Sequence, residues 1–151
     1  MLTCFLMMTM ISCKTDHSEN TMKETKRTFE NPVVYFEIPV YDIDRAIKFY
    51  GSVFHFDFDK QIIDHNEMAL FPFKNGQFGI TGALAKGKTY KPTKDGVIIY
   101  FNTLDIENTL ENIVENGGTI LYPITSIGEL GSVAEFEDSE GNRIALHQKN
   151  N

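Results

Sequence analysis

Two stretches of the chain carry the same hydrophobic and polar pattern. Residues 33–40 (Val-Val-Tyr-Phe-Glu-Ile-Pro-Val) are short, β-branched and aromatic, and read as a strand. Asp42 follows, and then Ile43, Ala46, Ile47 and Tyr50 fall on one face of a helix. Asp42 suits the N-cap and Gly51 a stop. The pattern returns with residues 97–103 (Val-Ile-Ile-Tyr-Phe-Asn-Thr) as a strand, Asp105 as N-cap, and Ile106, Leu110, Ile113 and Val114 as the buried helical face, ended by Gly117-Gly118. Asp42 and Asp105 lie 63 residues apart, as do Val34 and Val97, Ile43 and Ile106, and Ile47 and Leu110. Two copies are too few for a solenoid, so the repeat predicts two similar halves of one domain.

The rest of each half reads as strands. Residues 56–64, 67–73 and 77–84 are the candidates in the first half, with Asn75-Gly76 as a hairpin turn into the last of them. Residues 119–122, 132–137 and 143–148 are those of the second, the last two joined by Asp138-Ser139-Glu140-Gly141-Asn142. Polar Lys86–Asp95 is the expected connection between halves. The predicted order is strand, helix and three strands, twice: an α+β domain over residues 31–149, divided at about 93/94.

Residues 1–30 stand apart. Residues 2–12 are uncharged and mostly apolar, too short for a bilayer-spanning helix but of signal-peptide length. Met10-Ile11-Ser12-Cys13 resembles a bacterial lipobox, in which the cysteine is lipidated, and the polar stretch from Lys14 to Glu30 would serve as a tether. Against this, no Lys or Arg precedes the apolar run, and a start at Met22 would leave an ordinary cytoplasmic protein. Cys4 and Cys13 are the only cysteines, so the domain has neither a disulfide framework nor a cysteine nucleophile. A net charge of −7 without any basic stripe argues against a nucleic-acid partner.

The run Phe36-Glu37-Ile38-Pro39-Val40 with Asp42, Arg45-Ala46 and Phe49-Tyr50, together with Gly117-Gly118 and Phe136-Glu137-Asp138-Ser139-Glu140-Gly141-Asn142-Arg143-Ile144, resembles the vicinal-oxygen-chelate superfamily. That superfamily contains glyoxalases, bleomycin-resistance proteins and ring-cleaving dioxygenases. The resemblance covers residues 32–148, with Ser139 where the family usually has Pro. It implies two βαβββ modules curled into a half-barrel cup, a homodimer, and a divalent metal held by four ligands in the cup. Carried over residue by residue, those ligand positions are Tyr35, Ile98, Ala145 and Gly82. Three have no side-chain donor and a tyrosine is a poor lone ligand, so no metal and no other cofactor is expected.

Strand alternation places Val34, Phe36, Ile38, Val40, Val97, Ile99, Phe101, Ile144 and Leu146 against the helices. Tyr35, Glu37, Ile98, Tyr100, Ala145 and His147 then face the cup as the candidate ligand pocket. Glu37, Tyr100 and His147 are its conspicuous polar groups. Two readings of them stand: a general base with a partner acid and an orienting hydroxyl, or a hydrogen-bonded polar cluster. His55, within an aromatic stretch, reads as a core or edge residue, His65 as an exposed turn residue, and His17 falls in the tether. Phe71, Phe73, Phe78, Tyr90 and Tyr100 are candidate pocket aromatics, although most of the chain's 12 Phe must be core. The expected function is metal-free binding of a small aromatic or apolar molecule. The alternatives are a metal-dependent lyase, isomerase or dioxygenase with a displaced site, and a metal-free enzyme using Glu37 as base.

Overall fold

In a computed structural model of the protein, residues 32–74, 76 and 79–150 are described. Cys4, Cys13, His17 and the lipobox-like run lie outside them, as do Asn75 and Phe78. The elements run β1 (Tyr35–Pro39), α1 (Ile43–Phe54), β2 (Asp59–Ile63), β3 (Asn66–Leu70), β4 (Thr81–Lys86), β5 (Tyr100–Asn102), α2 (Ile106–Glu115), β6 (Thr119–Ser126), a short 3₁₀ turn (Gly128–Leu130), β7 (Ser132–Glu137) and β8 (Arg143–Gln148). Two open four-stranded mixed sheets result, ordered β1-β4-β3-β2 and β5-β8-β7-β6. In each, the strand before the helix pairs in parallel with the last strand of its own half. The fold is therefore α+β, built of two βαβββ units.

Both helices start where their capping aspartates dictate. The Asp42 side chain accepts from the amides of Asp44 and Arg45, and Asp105 accepts from that of Asn108. Those backbone N–H groups hold the Asp42 carboxyl below its ordinary pKa. Helix α1 does not stop at Gly51. It continues to Phe54 and ends on His55, whose φ of 59° is left-handed. His55 is exposed, a helix cap and not a core residue. Gly51 is an interior residue with close backbone overhead: a Cβ there would sit 3.3 Å from the Phe56 carbonyl oxygen.

One core serves both halves. Ile38, Val40, Ala46, Phe49 and Tyr50 from the first half bury with Leu110, Ile113, Phe136, Ile144 and Leu146 from the second. Phe36, Tyr50, Phe54, Phe56, Phe71 and Phe101 form a continuous aromatic cluster within it, with ring centroids 5.1–6.2 Å apart along successive pairs. This cluster explains a late start: β2 begins at Asp59, not 56, because Phe56 and Phe58 turn inward onto Phe71. The other expected boundaries move for related reasons. Val34 and Val97 precede the paired residues of their strands and are 78% and 92% exposed, so neither packs beneath a helix. Val114 is also exposed. Strand β4 starts at Thr81, so the connection from β3 is longer than a two-residue hairpin, while β6 runs four residues past the expected 122.

The loop Asp138–Asn142 ties the halves together. The Glu140 side chain, fully buried, accepts from the backbone N–H of Tyr41 and Asp42 through Oε2 and from Arg45 through both oxygens, at 2.7–3.0 Å. Asn142 donates to the Pro39 carbonyl and Tyr50 donates its hydroxyl to Asp138 at 2.7 Å. Burial raises the Tyr50 phenol well above its ordinary value of 10.0, reinforced by the Asp138 charge. Burial also raises Asp138, although four hydrogen bonds oppose it.

Removing Glu140 takes the partner from the half-exposed Arg45 and from the Tyr41 and Asp42 amides, so Glu140→Ala should lower the urea-unfolding free energy by about 2 kcal/mol. A loss below 1 kcal/mol would contradict the linking role. A phenol whose folded pKa is raised adds stability that is complete below the unfolded value and lost as pH rises through and beyond it. Wild type should therefore lose stability above about pH 10, whereas Tyr50→Phe should cost about 1–3 kcal/mol at neutral pH and show a weaker alkaline loss in pH-dependent urea melts.

Candidate functional site

Strands β1 and β5 are each hydrogen-bonded along one side only, and their free edges border a cavity of about 820 Å³. Phe36, Phe56, Phe71 and Phe101 from the aromatic cluster form its apolar wall, and residues 79–81 and 93–97 contribute the remainder. Tyr35, Glu37, Ile98 and Tyr100 line this cavity. Ala145 and His147 do not. Ala145 is fully buried beside Tyr100, packed under Glu135 of the neighbouring strand. His147 lies opposite Asn102, and its Nε2 is 2.7 Å from the Leu130 carbonyl oxygen. Glu37 and Tyr100 therefore share a cavity, while His147 is occupied by the 3₁₀ turn. The expected trio is not assembled.

The partner that Glu37 does have comes from the connection between halves. Tyr90 lies on Met68, Ala83 and Ala85, at the face of the first sheet that bears Glu37, and donates its hydroxyl to Glu37 Oε2 at 2.7 Å. That hydrogen bond, with smaller contributions from burial and the Glu37 charge, pushes the Tyr90 phenol up to about 12. Tyr35 is raised too, mainly by burial and then by Glu37. Tyr90 does not line the large cavity. It lines a second one of about 290 Å³, together with His65, Lys86 and Lys91. Phe71 lines the large cavity, as expected, whereas Phe73 is exposed and outside it. His65 is exposed, at a φ of 63°. A linker of Lys, Thr and Pro gives no periodicity that would place Tyr90 on a sheet, so its role was not readable from pattern alone.

The residues at the expected metal-ligand positions do not fit a divalent ion. Tyr35 offers a phenol, Ile98 and Ala145 offer nothing, and Gly82 needs a correction. Strand β4 begins 62 residues before β8, not 63, so a one-residue slip puts Ala83 opposite Glu37 as Ala145 is opposite Tyr100. Gly82 pairs with Phe36 on the helix side, where an added Cβ would collide with the Phe36 carbonyl and ring. Neither Ala83 nor Gly82 carries a donor. Among the described residues, no three His, Cys, Asp or Glu side chains converge as a metal site.

With this geometry in place, the sequence places the chain among known proteins. The profile of the Glyoxalase/Bleomycin resistance protein/Dioxygenase superfamily matches residues 33–146, so the chain belongs to that superfamily. A glyoxylase-like domain-containing protein from Didymella fabae is 32% identical over 114 residues, covering 73% of this chain and 88% of its own. Among solved structures, a superfamily member from Sphaerobacter thermophilus superposes with a TM-score of 0.59 at 22% identity, covering 78% of this chain and 96% of its own. TnmS3, an antibiotic-binding protein from Streptomyces, gives 0.58 at 22% identity, covering 82% of this chain and all of its own. A variant of maize glyoxalase I gives 0.57 at 19% identity over 78% of this chain, and this chain spans 46% of that enzyme's length.

The Tyr90 contact is directly measurable. In a spectrophotometric alkaline titration, Tyr90→Phe should remove one tyrosine whose ionisation is centred near 12. Loss of a tyrosine that ionises near 10 would mean that the bond to Glu37 does not form in solution.

Proposed function

We propose that the protein binds a small aromatic or apolar molecule in the cavity between β1 and β5 without a metal ion. The observation that carries this reading is a half-open, largely apolar space bordered by aromatic residues, in a domain whose expected metal-ligand positions lack metal-ligand side chains. A pocket of several hundred Å³ with a few polar groups on an apolar wall suits a drug-sized ligand. The antibiotic-binding description of TnmS3 is consistent with the proposal, although that likeness concerns the fold alone. Glu37 gives a specific reason to retain one enzymatic alternative: it is the carboxylate on β1 that lines the cavity, so a metal-free reaction using it as base would be placed there.

Thermal melts of the chelator-treated protein across Zn²⁺, Fe²⁺, Mn²⁺ and Ni²⁺ should show no stabilisation, whereas an aromatic compound that binds should raise Tm with concentration. Tyr100→Ala and Tyr35→Ala should weaken that ligand by about tenfold each, the loss of one stacking contact of about 1–1.5 kcal/mol. A metal-dependent rise in Tm that disappears in Glu37→Ala would overturn the proposal. Turnover of a bound compound abolished by Glu37→Gln would establish the enzymatic alternative instead.

A further inference from the structure

We propose that the cavity selects aromatic molecules that carry a positive charge, such as protonated amines fused or attached to a flat ring. The inference rests on the cavity being the ligand site and adds the charge class of the ligand.

Three charged side chains line the cavity: Glu37, Asp95 and Arg143. The guanidinium of Arg143 is already committed, with Nε at 2.6 Å and Nη2 at 2.5 Å from Glu135 Oε2. Lys94, beside Asp95 in sequence, is held by Glu137 at 2.6 Å. Neither cation brings a net charge to the space. Glu37 and Asp95 are different: among the described residues neither forms an ion pair. Tyr90 bonds one oxygen of Glu37 and leaves the other open, and it does so as a neutral phenol, so the carboxylate charge is undiminished. The cavity thus carries two uncompensated negative charges against apolar walls, which focus an electric field more strongly than open water does. The net charge of −7 adds to that field at long range.

Two aromatic residues add to the attraction. Tyr35 and Tyr100 also line the cavity, and aromatic rings attract cations through the ring quadrupole. The buried amide of Asn142 is fully engaged with Thr93, Pro39 and Asp138 and offers no donor to an anion. A cationic ring gains a charge-assisted hydrogen bond to Glu37, an attraction to Asp95 and a stacking surface together. An anionic ring of the same shape meets two like charges, and the nearby cations Lys94 and Arg143 are already paired.

The test uses one scaffold in three charge states. Full-length protein is titrated near neutral pH and at low salt with 9-aminoacridine (cationic), acridine (neutral) and acridine-9-carboxylate (anionic), following dye fluorescence. The cation should bind at least about fivefold more tightly than the neutral ring, and the carboxylate most weakly. About 0.5 M salt, with a Debye length of roughly 4 Å, should erode the cation's advantage. The double variant Glu37→Gln/Asp95→Asn, which keeps side-chain shape, should bring 9-aminoacridine down to the affinity of acridine, with an unchanged circular dichroism spectrum as the folding control. Equal binding of cation and neutral ring, or a preference that survives in the folded double variant, would overturn this inference while leaving the aromatic-binding proposal standing. No binding by any of the three would overturn both.

Discussion

The buried carboxylate of Glu140 is the contact on which the rest of the domain's geometry depends. Each half of the chain completes its own sheet, so strand pairing alone leaves the halves free to separate. Glu140 reaches from the turn before β8 to the start of α1 and accepts from two backbone amides and both arms of the Arg45 fork. Asn142 and Asp138 extend the same loop to the Pro39 carbonyl and the Tyr50 hydroxyl. A charge this deep is tolerable because every face of it is hydrogen-bonded. Asn142, in the same turn, bonds the end of β1 at Pro39 and also lines the cavity.

The aromatic cluster and the cavity are two uses of one set of side chains. Phe36, Phe56, Phe71 and Phe101 pack into the shared core and show their remaining surface to the cavity. Two of these rings, Phe71 and Phe101, also pack on Tyr50, whose hydroxyl is bonded to Asp138. Among the polar residues that line the cavity, Glu37 is bonded to Tyr90 and Arg143 to Glu135. The cavity therefore combines a largely apolar lining with two carboxylate residues, Glu37 and Asp95, that form no ion pair among the described residues. Of the residues at the expected metal-ligand positions, Tyr35 and Ile98 line this cavity, and Ile98 carries no donor.

The repeat of helix caps, apolar faces and closing turns determined the fold directly from the sequence. Asp42 and Asp105 start the helices because an aspartate there satisfies amides that the helix leaves open, a local requirement readable without any partner. Strand alternation predicted that Tyr35, Glu37, Ile98 and Tyr100 line a cavity and that their neighbours pack under the helices. The cavity at the free strand edges is lined by both sets, Phe36, Ile38, Ile99 and Phe101 included. The missing donors at the metal-ligand positions were also legible, although the one-residue slip between β4 and β8 shifted one of them from Ala83 to Gly82.

Only the tertiary structure decided distances and partners. Nothing local distinguishes Tyr90 from any other residue of a polar linker; its bond to Glu37 exists because residues 53 positions apart meet across a sheet. His147 shares a sheet face with Tyr100, yet the turn at Leu130 takes its imidazole, a contact that alternation cannot encode. Whether an arginine such as Arg143 is a free cation or half of a neutral pair depends on the strand beside it. Period and propensity set which way side chains point, whereas long-range packing sets what they meet, and the charge of this site follows from the second.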